Sequence, residues 1–324
     1  MSAEAAVSRL APGRVPRIAA ALERNGIFVL LAAVVAAGAA VAPELFGEFN
    51  IRNLLLQASI LGILALAQFL VVLIGGFDLS VAAVMALGSV IAVSLAPVSL
   101  PLALLAAMAA GLGIGAINGL SVTVGRVTPL IATLATMGIA RGLAFQVTEK
   151  SLLAPPGTLA PFHGSLSIVT APLVFWIALT VVVAFVLGRT RVGRHLYAIG
   201  GNERVARLAG IRVARLKVGV YAMAGLLSGV AGFAFVLRSS SGVPHLGAGW
   251  ELDTIAAIVI GGARLFGGDG SVVKAMAGVL VYQLMSNVMN LSGLDPYYQD
   301  ITKALIVVGA VGLGVLRARR GRHT

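Results

Sequence analysis

Apolar runs of about 20 residues follow one another along almost the whole chain, and nothing else in the sequence narrows the possible folds as much. A membrane-spanning helix needs about that length, because no water is present in the bilayer to satisfy its backbone N–H and C=O groups. Candidate spans lie near 27–43, 54–74, 79–97, 100–124, 130–147, 171–188, 218–237, 254–267, 271–291 and 300–316. Of the 324 residues, 59% are hydrophobic and 11% charged, against about 25% charged in soluble domains. The runs leave almost no length for a soluble domain. The sequence therefore reads as an all-α polytopic membrane protein with about ten transmembrane helices. A single transmembrane domain covers 27–316, between an N-terminal tail, 1–26, and a basic tail, 317–324.

The net charge of +12 reports topology before it reports a partner, because basic residues gather in cytoplasmic loops. With the N-terminus inside, the tails, the 75–78, 125–129 and 264–274 turns and the 189–217 loop hold 19 of the 24 Lys and Arg. That asymmetry puts both termini in the cytoplasm. No aromatic-rich basic surface is present to stack bases, so nucleic acid is excluded as a partner. The first 26 residues are polar, with Arg9, Arg14, Arg17 and Arg24, and read as a retained cytoplasmic tail rather than a signal peptide. Cysteine is absent, which removes disulfides, thiolate metal sites and cysteine nucleophiles.

Span eight is short and ends in GGARLFGG, so an interrupted helix is expected there. Broken backbone in a membrane survives only inside protein or beside a water-filled cavity. The segment Gly76–Gly88, GFDLSVAAVMALG, also matches Gly249–Gly261, GWELDTIAAIVIG, at a constant offset. In the ten-span topology the two copies start on opposite sides of the membrane. That is the pattern of an inverted repeat, spans two to five against seven to ten, unless it is a chance likeness of Ala/Val/Gly-rich helices. Gly111, Gly115 and Gly119, and Gly225 with Gly229, have the GxxxG spacing that lets helices pack closely.

Between two apolar runs, the 189–217 loop contains GNERVARLAGI. Asn202 suits an N-cap, Glu203 the positive first turn, and Gly210 the position just past a helix end. Val205, Leu208 and Ala209 share a face at i, i+3, i+4 spacing, and Glu203 can pair with Arg207. The element is either a docking helix for a cytoplasmic partner or an interfacial helix lying on anionic headgroups.

These residues resemble a known family. HLYAIGGNERVARLAGIRVARLK is similar to the cytoplasmic loop of permease subunits of bacterial ribose/xylose/galactose-type ABC importers. IGGFDLSVAAVMALGSVIA, NGLSVTVGRVTPLIATLATMGIARGLAF and GWELDTIAAIVIGGARLFGGDGSV extend the resemblance in order over about 50–312. The stretch at 148–170 and the C-terminal tail depart from it. The resemblance implies a ten-helix permease of the bacterial inner membrane, working as a dimer with a second permease subunit. It further implies ABC ATPase subunits and a periplasmic or lipid-anchored sugar-binding protein. It would dock the ATPase through Asn202, Glu203, Ala206, Arg207, Leu208, Gly210 and Ile211, with Val205 and Ala209 completing the helix. The resemblance also implies a cavity that binds sugar weakly.

No Gly-Lys dipeptide and no HExxH occur, and the four histidines are scattered. A Walker A loop is therefore missing; the chain is expected to bind no cofactor and to be no enzyme, with ATP and Mg used by the partner. Polar residues in membrane helices are costly and so are candidates for the translocation path. Gly75, Gly76, Asp78, Asn118, Thr136, Asn287 and Asn290 form that set. Asp78 either lines the path or caps the following helix. The three asparagines either line it or hydrogen-bond between helices. Gln68, Thr133 and Arg141 are further candidates, and Arg141 could snorkel to the outer surface. Glu251 and Asp253 are expected to face the outer side. The rival readings are a related permease for branched-chain amino acids, nucleosides or a quorum-sensing sugar derivative, and an ion-coupled secondary transporter.

Overall fold

The computed structural model describes residues 17–159, 162, 168–295, 297–305 and 309. The chain is helical nearly throughout. α1 (Arg17–Val41) leads through a 3-10 turn at Pro43–Phe46 into α2 (Glu48–Leu73). Then come α3 (Val81–Leu95), α4 (Leu100–Thr123), α5 (Pro129–Val147), β1 (Leu152–Leu153) and α6 (Ala171–Arg189). The 189–217 loop contains α7 (Arg191–Gly201) and α8 (Glu203–Leu208). It is followed by α9 (Val213–Ser239), β2 (Ser241–Gly242), α10 (Trp250–Ile260) and α11 (Val272–Leu291). A last helical stretch occupies 297–305. Proline opens the first turn of α4, α5 and α6, where a missing N–H removes no helix bond.

Among the described residues, six helices are long and apolar enough to cross a membrane: α2, α4, α5, α6, α9 and α11. The expected spans 79–97 and 254–267 are shorter, 15 residues in α3 and 11 in α10. The backbone gives the reasons. Gly75 has φ +74, and Asp78 takes the Ser80 amide, so no helix forms before Val81. Gly262, with φ +87, ends α10. Gly267, Gly268 and Gly270 keep the next residues turning in the same half of conformational space. The tails at 1–16 and 317–324, most of the span expected at 300–316, and His163 and His323 lie outside the described residues.

α2 and α9 form the centre. Their most apolar stretches are 89% and 78% buried, against 28% in α4, α5 and α6. α9 packs on α4, α3 and α2, while α2 also packs on α6, α10 and α11. The GxxxG glycines do what their spacing implied, because the α4 set meets the α9 set. A Cβ on Gly111 would stand 2.1 Å from the Gly225 carbonyl oxygen, and one on Gly229 2.2 Å from that of Ala107. On the far side of α2, Gly62 lies under the Trp176 ring of α6, whose indole N–H reaches the Met276 sulfur at 3.2 Å. The two short strands pair antiparallel, Leu152 opposite Gly242, and tie the 148–159 segment to the end of α9.

Candidate functional site

α8 is held at both ends by local chemistry that the sequence displays. The Asn202 side chain accepts from the Val205 amide at 3.1 Å and supplies the N-cap. At the other end, Gly210 adopts φ +82. Its amide reaches the Arg207 carbonyl, and the Ile211 amide reaches that of Ala206, both at 3.1 Å. That pair of bonds is the Schellman closure, which only a residue at ease with positive φ completes without strain. Ala206 is buried and seats the helix on the protein. Val205 and Leu208 point away from it, 58% and 81% exposed, and Ala209 is exposed beside them. A two-turn helix thus offers a small apolar face to its surroundings.

Charge fixes the helix sideways. Glu203 pairs with Arg207 at 2.9 Å, as its spacing suggested, and with Lys217 of α9 at 2.6 Å. The hydrogen bond from the Lys217 ammonium, with the two cationic charges, holds the Glu203 carboxyl below the usual range against the opposing effect of partial burial. Lys217 could not be singled out in the sequence, since it lies in the next helix.

The loop beneath α8 reaches the two broken places in the chain. A Cβ on Gly200, at the end of α7, would lie 1.9 Å from the Leu73 carbonyl and 2.3 Å from the Gly268 amide. Gly268 itself donates to the Leu73 carbonyl at 3.0 Å. The Tyr197 hydroxyl donates to the Gly270 carbonyl at 2.8 Å. So α7 is pressed against both the end of α2 and the 261–270 turn. Gly75 approaches that turn as well, its α-carbon facing the Phe266 carbonyl. Gly76 sits under the Tyr221 hydroxyl of α9. Tyr197, Leu73, Gly200 and Gly268 are junction residues with no signal in the sequence beyond small size or an aromatic ring.

Three of the path candidates join in one buried chain. Asp78 accepts from the Ser80 amide at 2.8 Å and from its hydroxyl at 2.6 Å. Asn118 of α4 donates to Ser80 Oγ at 2.9 Å. Thr136 of α5 donates to Asn118 Oδ1 at 2.6 Å. The carboxylate therefore organises the start of α3 and links it to the next two helices. Asn287 pairs through both amide groups with Asn50 of α2, at 2.8 and 2.9 Å. Asn290 accepts from Gln299 at 2.9 Å. Thr133 bonds to its own helix, at the Pro129 carbonyl. Both polar atoms of buried Gln68 lack a partner among the described residues.

Arg141 is partly exposed. Its guanidinium donates to the Pro244 and Leu246 carbonyls, both at 2.9 Å, because the loop before α10 folds over it with bare carbonyls. Asp253 accepts from the Tyr282 hydroxyl at 2.5 Å, and both Asp253 and Glu251 remain partly exposed.

Comparison with known proteins adds the following. The family described as branched-chain amino acid transport system / permease component matches residues 50–311. The ribose import permease protein RbsC of Escherichia coli (strain K12) is 38% identical over 298 residues, covering 90% of this chain and 92% of that protein. The L-arabinose transport system permease protein AraH of the same organism is 33% identical over 295 residues, 89% of each chain. The L-arabinose ABC transporter permease protein AraH of Azospirillum brasilense is 32% identical over 294 residues, 90% of this chain and 87% of that protein. No solved structure matches the chain.

Proposed function

The chain belongs to the family of branched-chain amino acid transport system permease components, and from that premise we propose that it is the membrane-spanning subunit of an ATP-driven importer for a monosaccharide or related polyol. The carrying observation is α8, whose apolar residues Val205 and Leu208 face outward from a seat tied to both broken-helix junctions. A separate ABC ATPase takes this helix in a groove and spends ATP and Mg there. Its closure shifts α8 and, through α7, presses on Leu73 and Gly268. The 74–80 connector and the 261–270 turn are the pliable points, so α2, α3, α10 and α11 retilt around the path. The printed names of the relatives, ribose and L-arabinose importers, support the sugar class.

The same reading supplies the assembly. The permease pairs with a second copy and receives cargo from a periplasmic or lipid-anchored binding protein. It sits in the bacterial inner membrane with about ten spans, both termini and α8 on the cytoplasmic side. The inverted repeat is supported by element order. A long buried helix, a non-helical connector, a short helix and a long helix occur twice, as α2 to α4 and as α9 to α11. α9 rests on α3 and α4 as α2 rests on α10 and α11.

The test is uptake and ATP hydrolysis in proteoliposomes holding permease, ATPase and binding protein. Glu203→Lys and Gly210→Pro are expected to abolish uptake and to free hydrolysis from its dependence on loaded binding protein, with membrane insertion intact. Wild-type uptake in both variants rejects the docking assignment. Gradient-driven uptake by the chain alone favours the secondary transporter. The family description favours one second reading, a branched-chain amino acid cargo. Calorimetry on the co-encoded binding protein separates it from a sugar.

A further inference from the structure

Among the described residues, one side chain supplies every hydrogen bond that joins α5 to the chain beyond α9. Arg141 donates through a single nitrogen, Nη1, to the Pro244 and Leu246 carbonyls, both at 2.9 Å. An arginine in a membrane helix and a bare carbonyl beside it are each costly, and this contact answers both. The two carbonyls also orient the guanidinium, while its Nε and Nη2 make no hydrogen bond to any described residue. That free edge is one that a carboxylate takes with two parallel bonds.

A carboxylate stands nearby without such a bond. Glu251, in the first turn of α10, is close enough for its charge to act on Arg141. Among the described residues, no cation lies within 4.0 Å of it. In the matching segments Gly76–Gly88 and Gly249–Gly261, Glu251 is the counterpart of Asp78. The two acids are in different states. Asp78 is buried, and its bonds to Ser80 continue to Asn118 and Thr136, tying the start of α3 to α4 and α5. Glu251 is partly exposed and engages only through its backbone carbonyl, which accepts from Thr254.

The backbone leading to Glu251 can turn. Upstream, the loop goes with α3 and α5, because Ser89 of α3 accepts from the Val243 amide at 3.2 Å and Arg141 holds Pro244 and Leu246. Downstream, Asp253 accepts from Tyr282, so α10 goes with α11. Gly247 and Gly249, with φ +65 and +90, lie between. A Cβ on Gly249 would meet nothing within 4 Å. Two such residues beside open space are suited to absorb a change of angle.

We propose that Arg141 and Glu251 are the two halves of a gate latch, which stands unlatched in this structure. α10 turns about Gly247–Gly249 until Glu251 meets the free edge of Arg141. That contact draws the start of α10 onto α5 and closes the path at that end. It is the second repeat's version of the Asp78 tether, and its exposure to water makes it releasable where the buried tether is not.

This inference rests on the topology proposed above for which end of the path closes, but its test needs neither cargo nor sidedness. Spin labels are placed at Phe145→Cys and Leu252→Cys, exposed positions on α5 and α10. Their separation is measured by pulsed electron paramagnetic resonance on the full-length chain in nanodiscs, alone and with the ATPase, with ATP and without. Two separations are expected. The shorter population should fall about three- to fivefold on Glu251→Gln, and also in high salt. Arg141→Met should lower it equally, with no further fall in the double variant. Glu251→Gln bares no carbonyl, so it reads the latch without disturbing the loop. A shorter population that survives Glu251→Gln overturns the proposal and leaves Arg141 as a support of the loop alone. A single separation under every condition also overturns it. Either result leaves the transport reading standing, because uptake is measured separately.

Discussion

Glu203 touches two cations, and the sign of that perturbation gives a pH dependence. A carboxyl whose pKa falls on folding stabilises the native contact above its unfolded value, about 4.3, and loses that contribution as pH drops through the lower folded value. α8 is therefore expected to stay tied to α9 from neutral pH down past the unfolded carboxyl value and to loosen only as pH falls through the lowered Glu203 value. A spin label at Leu208→Cys, in a chain with no cysteine of its own, should report a label that is more restricted at pH 7 than once the pH has fallen through the lowered Glu203 value. Lys217→Met should move that loosening upward in pH; unchanged titration in this variant would contradict the pairing. The contact is partly exposed, so the effect should weaken in high salt. Asn118 is the other residue whose loss is informative, because it links Ser80 to Thr136 inside the protein. Asn118→Leu is expected to cost about 1–3 kcal/mol by leaving buried polar groups without partners. Thermal unfolding in detergent measures this, and the cost should be non-additive with Ser80→Ala by at least about 0.5 kcal/mol. The polarity of these residues was legible in the sequence, and their partnership was not. Asp78, Asn118 and Thr136 lie on three successive elements, and sequence spacing does not report which faces of different helices meet.

At the level of elements, close approach governs α4 and α9. Their glycines leave no room for a side chain, since a Cβ on Gly225 would stand 2.1 Å from the Gly111 carbonyl oxygen. Gly225→Val should push the helices apart and destabilise the fold by about 1–3 kcal/mol or more. Gly113→Ala, on the same α4 but facing open space, should be neutral. A lower melting temperature and yield for the first variant alone checks the assignment, and equal behaviour of both rejects it. Helix ends divide in the same way between local and distant causes. The α8 boundaries follow from Asn202 and Gly210 within one turn of chain, which is why the sequence located them. The start of α3 was placed too early because apolar character continues to Leu79 while the backbone does not. The 74–80 connector is turned by Gly75 and pinned by Asp78 and by contacts with distant residues, Tyr221 and Phe266 among them.

For the whole molecule, the arrangement around α2 and α9 makes sidedness testable. Ser151→Cys and Leu208→Cys place single thiols on exposed positions that the proposed topology puts on opposite faces. A membrane-impermeant maleimide should label position 151 in cells with the outer membrane opened. It should label position 208 only after the inner membrane is also breached. Labelling of both from one side would overturn the topology, whatever the fate of α8. The membrane class, the helical content, the capped α8 and the packing glycines were determined by the sequence alone, because each depends on hydrophobicity or on chemistry within a turn or two of chain. Only the tertiary structure decided that Gly200 presses on Leu73 and Gly268, that Arg141 holds the loop before α10, and that Asp78, Asn118 and Thr136 form one chain. Those contacts join residues far apart in sequence, and their pairing is set by which helix faces must be buried together rather than by any local preference.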